Sequence, residues 1–154
     1  MKTITQEVIN FLHRQGFAVV STLDSKTTIH SAAKGVVGIE PCGRVYLIDL
    51  YRGETFKNLK ANPEVTLTSV DEHEFSGYAL KGKAKIVDRE KIELKIIKKW
   101  EKQVIDRISQ RVIKNIKKDK GSTLHPESRF PQPKYLIVVE IEEIINLAPP
   151  HLKK

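Results

Sequence analysis

The sequence predicts a mainly β chain with helices (α+β), a small six-stranded barrel with helical appendages. The first observation is strand-like alternation, clearest at Gly77–Val87, where small or apolar residues alternate with three lysines. The second is helical periodicity, strong near the N-terminus and again from Arg89 to Lys118. The third is length, because 154 residues bury one core and are too few for two ordinary domains. A single domain spanning 1–154 is therefore expected.

The N-terminal part predicts one helix and two strands. A helix from about Thr5 to Arg14 carries an apolar face, ends at Gly16 and is expected to close one end of the barrel. The first strand is Phe17–Leu23, and a turn at residues 24–26 leads to a second strand from about Thr28 to Ile39.

The second strand carries features that suit a bound ligand. Gly35 and Gly38 interrupt it, and a glycine inside a strand indicates a bulge or a close approach to the backbone. Small side chains before these glycines leave room for a flat ligand, and Lys34 would place a cation near its polar edge. The same pattern also suits a crowded barrel interior, so the residues alone leave both interpretations open. The small residues are Ser31, Ala32 and Ala33.

The stretch from Arg44 to Val70 predicts a strand, a turn, a short helix and another strand. Thr55 is the predicted N-cap of a helix over Phe56–Ala61, which Asn62-Pro63 ends. A helix start offers unpaired N–H groups, so a hydroxyl, a cation and an amide there form a candidate phosphate seat. An ordinary capped turn is the alternative interpretation. The three polar side chains are those of Thr55, Lys57 and Asn58.

The order of these motifs resembles the FMN-binding split β-barrel family, which includes pyridoxamine 5'-phosphate oxidase. The resemblance covers roughly residues 17–87 and rests on IHSAAKGVVGIEPCGRVYLIDLYRGETFKNLKANPEVTLTSV followed by GYALKGKAKIV. Its most specific parts are Asn58-Leu59, Asn62-Pro63-Glu64-Val65 and the strand at Lys81–Ala84. It implies a split barrel with FMN, whose phosphate is held by the strand-turn-helix and whose ring lies along the second strand.

The resemblance also implies the cofactor-binding residues. One departure is that many members carry an Arg-Lys pair at the positions of Glu54 and Thr55, and Glu54 would repel a phosphate. Unless the phosphate of FMN is bound more weakly than usual, its contacts must come from nearby side chains and main-chain N–H groups. The implied set is Ser31, Ala32, Ala33, Lys34, Asp49, Leu50, Tyr51, Arg52, Thr55, Lys57, Asn58 and Phe130.

The segment from Arg89 to Lys118 carries an apolar stripe that would run about 45 Å as one helix. A single small barrel cannot cover that length. Either the helix breaks near Ser109, or the stripe packs against a second protomer. The resemblance separately implies a homodimer with the cofactor at its interface.

A Pro-containing loop at Gly121–Pro133 precedes the last predicted strand, Lys134–Leu147. By position the loop resembles the family segment that reaches the partner's flavin. Phe130 is then a candidate contact to the ring edge, and His125 and Arg129 are candidate contacts to substrate or phosphate.

Composition bears on partners and location. The net charge of +8 is compatible with nucleic acid, but most of it lies in the long helical segment, whose mixed signs and few aromatics are typical of a solvated helix face. The sequence has no run of about 18 apolar residues, so neither a membrane span nor a signal peptide is expected. Cys42 is the only cysteine, which suits a reducing cytoplasm. No metal site is predicted.

The resemblance implies a homodimeric FMN protein that acts as a flavin-dependent oxidoreductase on a small-molecule substrate. The cofactor would perform the redox step, so no catalytic side chain is assigned. Pyridoxamine phosphate oxidation itself is disfavoured by the short chain and by the missing Arg-Lys pair. The alternatives are a split barrel that uses deazaflavin or haem, and a flavin-free basic module that binds nucleic acid.

Overall fold

The computed structural model describes residues 1–117 and 132–153, which form a closed antiparallel barrel of six strands in the order β1-β2-β3-β6-β5-β4. The predicted fold class is therefore confirmed. The helices are α1 (Gln6–Gln15), α2 (Glu54–Ala61) and α3 (Leu94–Lys117). The strands are β1 (Phe17–Leu23), β2 (Ile29–Glu40), β3 (Arg44–Asp49), β4 (Glu64–Asp71), β5 (Ser76–Asp88) and β6 (Tyr135–Asn146). Short 3₁₀ turns lie at Arg89–Lys91 and Pro150–Leu152.

The barrel interior is filled by alternate residues of all six strands. Each such side chain stabilises the fold by roughly 1.5–3 kcal/mol when it leaves water completely. The innermost of these side chains are Val20, Val36, Val45, Leu47, Leu67, Leu80, Ile137, Val139 and Ile141, all almost fully buried.

Helix α1 closes one end of the barrel, as predicted. The Thr5 hydroxyl accepts a hydrogen bond from the N–H of Val8, and Gly16 ends the helix with a φ of 74°. The apolar face joins the barrel core. It consists of Val8, Ile9, Phe11 and Leu12.

Helix α2 packs at the opposite end, where Phe56 meets the Tyr135 ring edge-on at a centroid distance of 4.9 Å. The predicted start of this helix is wrong. It begins at Glu54, and Gly53 occupies the N-cap position without a side-chain cap. Thr55 lies inside the first turn and is only 2% exposed, because it belongs to the face that packs against the barrel.

Helix α3 lies outside the barrel and covers the outward faces of β2, β3 and β6. Its side chains form a second apolar cluster with Val37, Ile48 and Leu136. The chain does not become α-helical until Leu94, later than predicted. Of the two alternatives for the long stripe, a break near Ser109 is excluded because the helix continues to Lys117. No helix within the described ranges is long and apolar enough to cross a membrane.

Candidate cofactor-binding cleft

The barrel splits between β2 and β3, beside the C-terminal end of β3. These strands pair only from Gly35 opposite Ile48 to the turn, whereas residues 29–34 of β2 pair with β1 alone. One backbone edge of β2 therefore has no strand partner there, and its N–H and C=O groups face a cleft. The cleft has a volume of 180 Å³. Its lining is Ala33, Lys34, Gly35, Ile48, Asp49, Leu50, Tyr51, Trp100, Val104 and Arg107.

An ion pair forms the floor of this cleft. The Lys34 Nζ lies 2.7 Å from Oδ2 of Asp49, and the two side chains are 14% and 2% exposed. The Tyr135 hydroxyl donates to the same oxygen, and the N–H of Tyr51 donates to Oδ1 over 3.3 Å. Burial and the Asp49 carboxylate raise the pKa of Tyr135, so the phenol stays protonated as a donor. Asp49 thus joins β2, β3 and β6 at the mouth of the split.

Gly35 keeps the cleft open at the edge of β2. A Cβ built there would meet no atom within 4 Å, so the missing side chain leaves real space. Of the two glycines predicted to mark a bulge or a close approach, Gly38 lies at a bulge, because the β2–β3 register shifts between Val36 and Gly38.

Cations and one carboxylate surround the start of α2. The Arg52 guanidinium lies 5.6 Å from the centroid of the Phe56 ring and is exposed. Glu54 is 2.9 Å from the Nζ of Lys57, and this contact holds the pKa of its carboxyl below its usual range. Because Lys57 offsets Glu54, the charge left over at this position is the positive charge of Arg52.

The other two groups of the predicted phosphate seat face inward. The Thr55 hydroxyl is buried and has no hydrogen-bond partner among the described residues. The Asn58 amide donates to the Thr22 hydroxyl over 3.0 Å inside the barrel. At the start of α2, the side chains that could contact a phosphate are therefore those of Arg52 and Lys57, together with main-chain N–H groups.

The cleft brings together some of the predicted site residues and adds others. Ser31 is on the same strand but turns outward, with its hydroxyl 2.9 Å from that of Ser21. Phe130, His125 and Arg129 lie outside the described residues. The helix residues of the lining were not predicted, although Trp100 stood out as the only tryptophan in an apolar stripe. Five predicted residues line the cleft: Ala33, Lys34, Asp49, Leu50 and Tyr51.

An uncharged surface adjoins the cleft on the outside of β1 and its neighbours, and we call it the β1 outer face. Phe17 and Val19 are 52% and 36% exposed there, and strand pairing sets Ala33 opposite Val19. The outer face of β5 differs, since each of its lysines lies within 4 Å of a carboxylate. These pairs are Lys81–Glu143, Lys83–Glu64 and Lys85–Glu140. The β1 outer face comprises Phe17, Val19, Ser21, Ser31, Ala33, Thr66, Thr68 and Val70.

Solved structures share this fold at low sequence identity. HupZ from Group A Streptococcus is 20% identical with a TM-score of 0.63, covering 94% of both chains. An F420 reductase is 15% identical with a TM-score of 0.58, covering 92% of this chain and 98% of its own. HutZ, the heme storage protein from Vibrio cholerae, is 16% identical with a TM-score of 0.55, covering 94% of both chains. At these identities the likeness establishes the fold alone.

The family is established by a separate comparison. Among curated proteins, no sequence matches this chain. The family model described as pyridoxamine 5'-phosphate oxidase matches residues 4–148, which include the whole barrel and both sides of the cleft. The chain therefore belongs to the pyridoxamine 5'-phosphate oxidase family.

Proposed function

We propose that this chain is an FMN-binding flavoprotein, a flavin-dependent oxidoreductase that acts on a small molecule in the cytoplasm. The observation that carries the proposal is the unpaired edge of β2 beside the open space at Gly35. A flat heterocycle with donors and acceptors along its rim satisfies such an edge as a neighbouring strand would. The family match supports the same class of ligand.

The residues around the cleft fit the separate parts of FMN. The β2 edge would hydrogen-bond the rim of the ring, and Trp100 with Val104 would form an apolar wall. Arg52 and Lys57 would hold the phosphate, assisted by the uncapped start of α2. When bound, the flavin would supply hydride or electron transfer.

The protein's own contribution is binding, orientation and electrostatics. Asp49 holds the Lys34 ammonium at the cleft floor, and its contact takes one of the three ammonium N–H donors. In a site shielded from water, that cation would favour negative charge on the polar edge of the ring. Lys34 would thus orient the cofactor and favour its reduced, anionic form.

The proposed site needs a second protomer. A volume of 180 Å³ lies below the roughly 300 Å³ at which small-molecule sites usually begin. The β1 outer face borders the cleft through Ala33, and it has apolar or hydroxyl side chains in a chain that is 30% charged. A partner docked on this face would bury it and enlarge the site. We therefore propose a homodimer with the cofactor at the interface.

The alternatives differ in what the cleft must supply. Deazaflavin shares the flat ring, so the similarity to an F420 reductase keeps it as the second candidate. Haem iron takes an axial histidine, cysteine, methionine or tyrosine, and among the described residues that line the cleft only Tyr51 is of these types. Nucleic-acid binding is disfavoured because the β5 lysines are paired with carboxylates.

The direct test is the visible spectrum of the purified protein with mass analysis of any released cofactor. FMN would support the proposal, and a colourless protein that takes up no FMN would refute it.

Gly35→Val is expected to weaken flavin binding strongly without unfolding the barrel. The new side chain would fill the open space in front of β2, and valine suits a strand. Fluorescence titration with FMN should show an affinity loss of at least about tenfold, equivalent to about 1.4 kcal/mol. Thr3→Val, which introduces a valine at an exposed position near the other end of the barrel, should bind FMN like the original protein. Equal FMN affinity for both variants would show that the cleft is not the flavin site.

Phe17→Glu combined with Val19→Glu is expected to separate the dimer into monomers. Burying two charges at an interface costs several kcal/mol unless they find partners, and the β1 outer face offers none among the described residues. Light scattering after gel filtration should report half the mass, and flavin content should fall with it. Phe75→Glu alters a more exposed phenylalanine in the β4–β5 turn and should leave the dimer intact. A dimer that survives the double change would place the interface elsewhere.

A further inference from the structure

A second concavity lies nearer the β2–β3 turn, between that hairpin and the first turns of α3. We call it the hairpin groove. Its volume is 440 Å³, within the usual range for small-molecule sites, and it shares no lining residue with the cofactor cleft. The groove is lined by Val37, Gly38, Ile39, Glu40, Arg44, Tyr46, Glu93, Lys95, Ile96 and Lys99.

Most charges in the hairpin groove are already compensated. Glu40 accepts a hydrogen bond of 2.9 Å from the Tyr46 hydroxyl and lies 3.8 Å from Arg44. Glu93 lies 2.8 Å from the Nζ of Lys95. Lys99 has no acidic partner or hydrogen-bond acceptor in the described part of the chain. The groove therefore holds one uncompensated positive charge.

The charge of Lys99 lies beside Gly38. A Cβ at that position would lie 3.7 Å from the Lys99 Nζ and 3.4 Å from the Tyr46 ring, so the ammonium lies close above the strand backbone. Val37, Ile39 and Ile96 supply apolar surface alongside it. The field of Lys99 also extends to α1, where burial and then this charge lower the pKa of His13.

We propose that the hairpin groove binds an amphipathic monocarboxylate, with its carboxylate on Lys99 and its hydrocarbon part against Ile96 and the Tyr46 ring. One free cation matches one negative charge, whereas a dianion such as phosphate would leave a charge unpaired beside Glu40 and Glu93. The apolar strip accounts for the hydrocarbon part. This site is additional to the flavin site and does not depend on it.

Octanoate is the probe for this site, titrated into the full chain as purified and followed by calorimetry. Saturable binding to one site per protomer is expected. Lys99→Met should weaken it by about tenfold or more, the usual effect of losing a charge-assisted hydrogen bond. Lys98→Met removes an equal charge from an exposed position on the same helix that does not line the groove, and should leave octanoate affinity unchanged.

Two further measurements locate the bound octanoate. Gly38→Val should block octanoate by filling the space beside Lys99, with its melting curve showing that the barrel is intact. In NMR titrations of the original protein, octanoate should raise the pKa of His13, because a carboxylate on Lys99 cancels the charge that lowers it. Any one of four results would overturn the proposal. These are octanoate binding that does not saturate, equal octanoate affinity in Lys99→Met, equal binding of the uncharged octanamide, and an unchanged pKa of His13.

Discussion

Asp49→Ala is expected to lower the free energy of unfolding by about 3–5 kcal/mol, the cost of removing one partner from a buried ion pair. The change leaves the Lys34 ammonium, 14% exposed, without its carboxylate. It also deprives the Tyr135 hydroxyl and the Tyr51 N–H of their acceptor. Chemical denaturation should report the loss as a lower midpoint at an unchanged slope.

A double variant separates the charge from the hydrogen bonds. Lys34→Met with Asp49→Asn removes both charges but keeps an amide oxygen that can accept from Tyr135, so most of the lost stability should return. Glu54→Ala breaks the exposed pair with Lys57 and serves as the control, with a far smaller expected change. If Asp49→Ala matches that control, the buried pair does not hold the split together.

The same double variant tests the role proposed for Lys34. A protein that refolds to nearly full stability yet binds FMN weakly would place the Lys34–Asp49 pair in flavin binding as well as in the fold. Full stability with full FMN affinity would restrict Lys34 to a structural role.

The strands were predictable to within about a residue because their alternation is local. Strand β1 was predicted with its observed limits, and β2 and β6 differ from prediction by one residue at each end. The start of α2 was missed for a physical reason. Thr55 is a favourable N-cap by local preference, but packing of its side chain against the barrel outweighed that preference and moved the helix start to Glu54.

The candidate site was predicted on β2 and at the end of β3, but not on the helix that forms its wall. The small residues of β2 indicated room for a ligand before the structure was known, and Ala33 and Gly35 line the cleft. The contact between Lys34 and Asp49 depends on strand register and on where β2 and β3 separate, which residue spacing does not reveal. The helix wall depends on which barrel face α3 covers, so Trp100 could not be assigned to it.

Gly82→Ala is expected to prevent the barrel from closing. Gly82 lies in β5 at the irregularity opposite β6, where the register shifts between Lys81 and Gly82. A Cβ there would lie 2.0 Å from the carbonyl oxygen of Glu140 and 3.0 Å from the Cα of Ile141. Both obstacles are backbone atoms, so no side-chain rotation relieves the clash and the strands must move apart.

The measured consequence should exceed the roughly 1–3 kcal/mol typical of an overpacked core, because closure of the sheet is lost along with packing. Gly77→Ala, whose Cβ would lie 2.9 Å from the Ser69 carbonyl oxygen, should cost less. Gly35→Ala meets no atom within 4 Å and should leave thermal stability unchanged or slightly higher, since alanine restricts the unfolded chain. Melting temperatures are therefore expected to fall in the order Gly35→Ala, Gly77→Ala, Gly82→Ala. If Gly82→Ala melts at the same temperature as the original protein, β5 and β6 lie farther apart at the bulge than the structure shows.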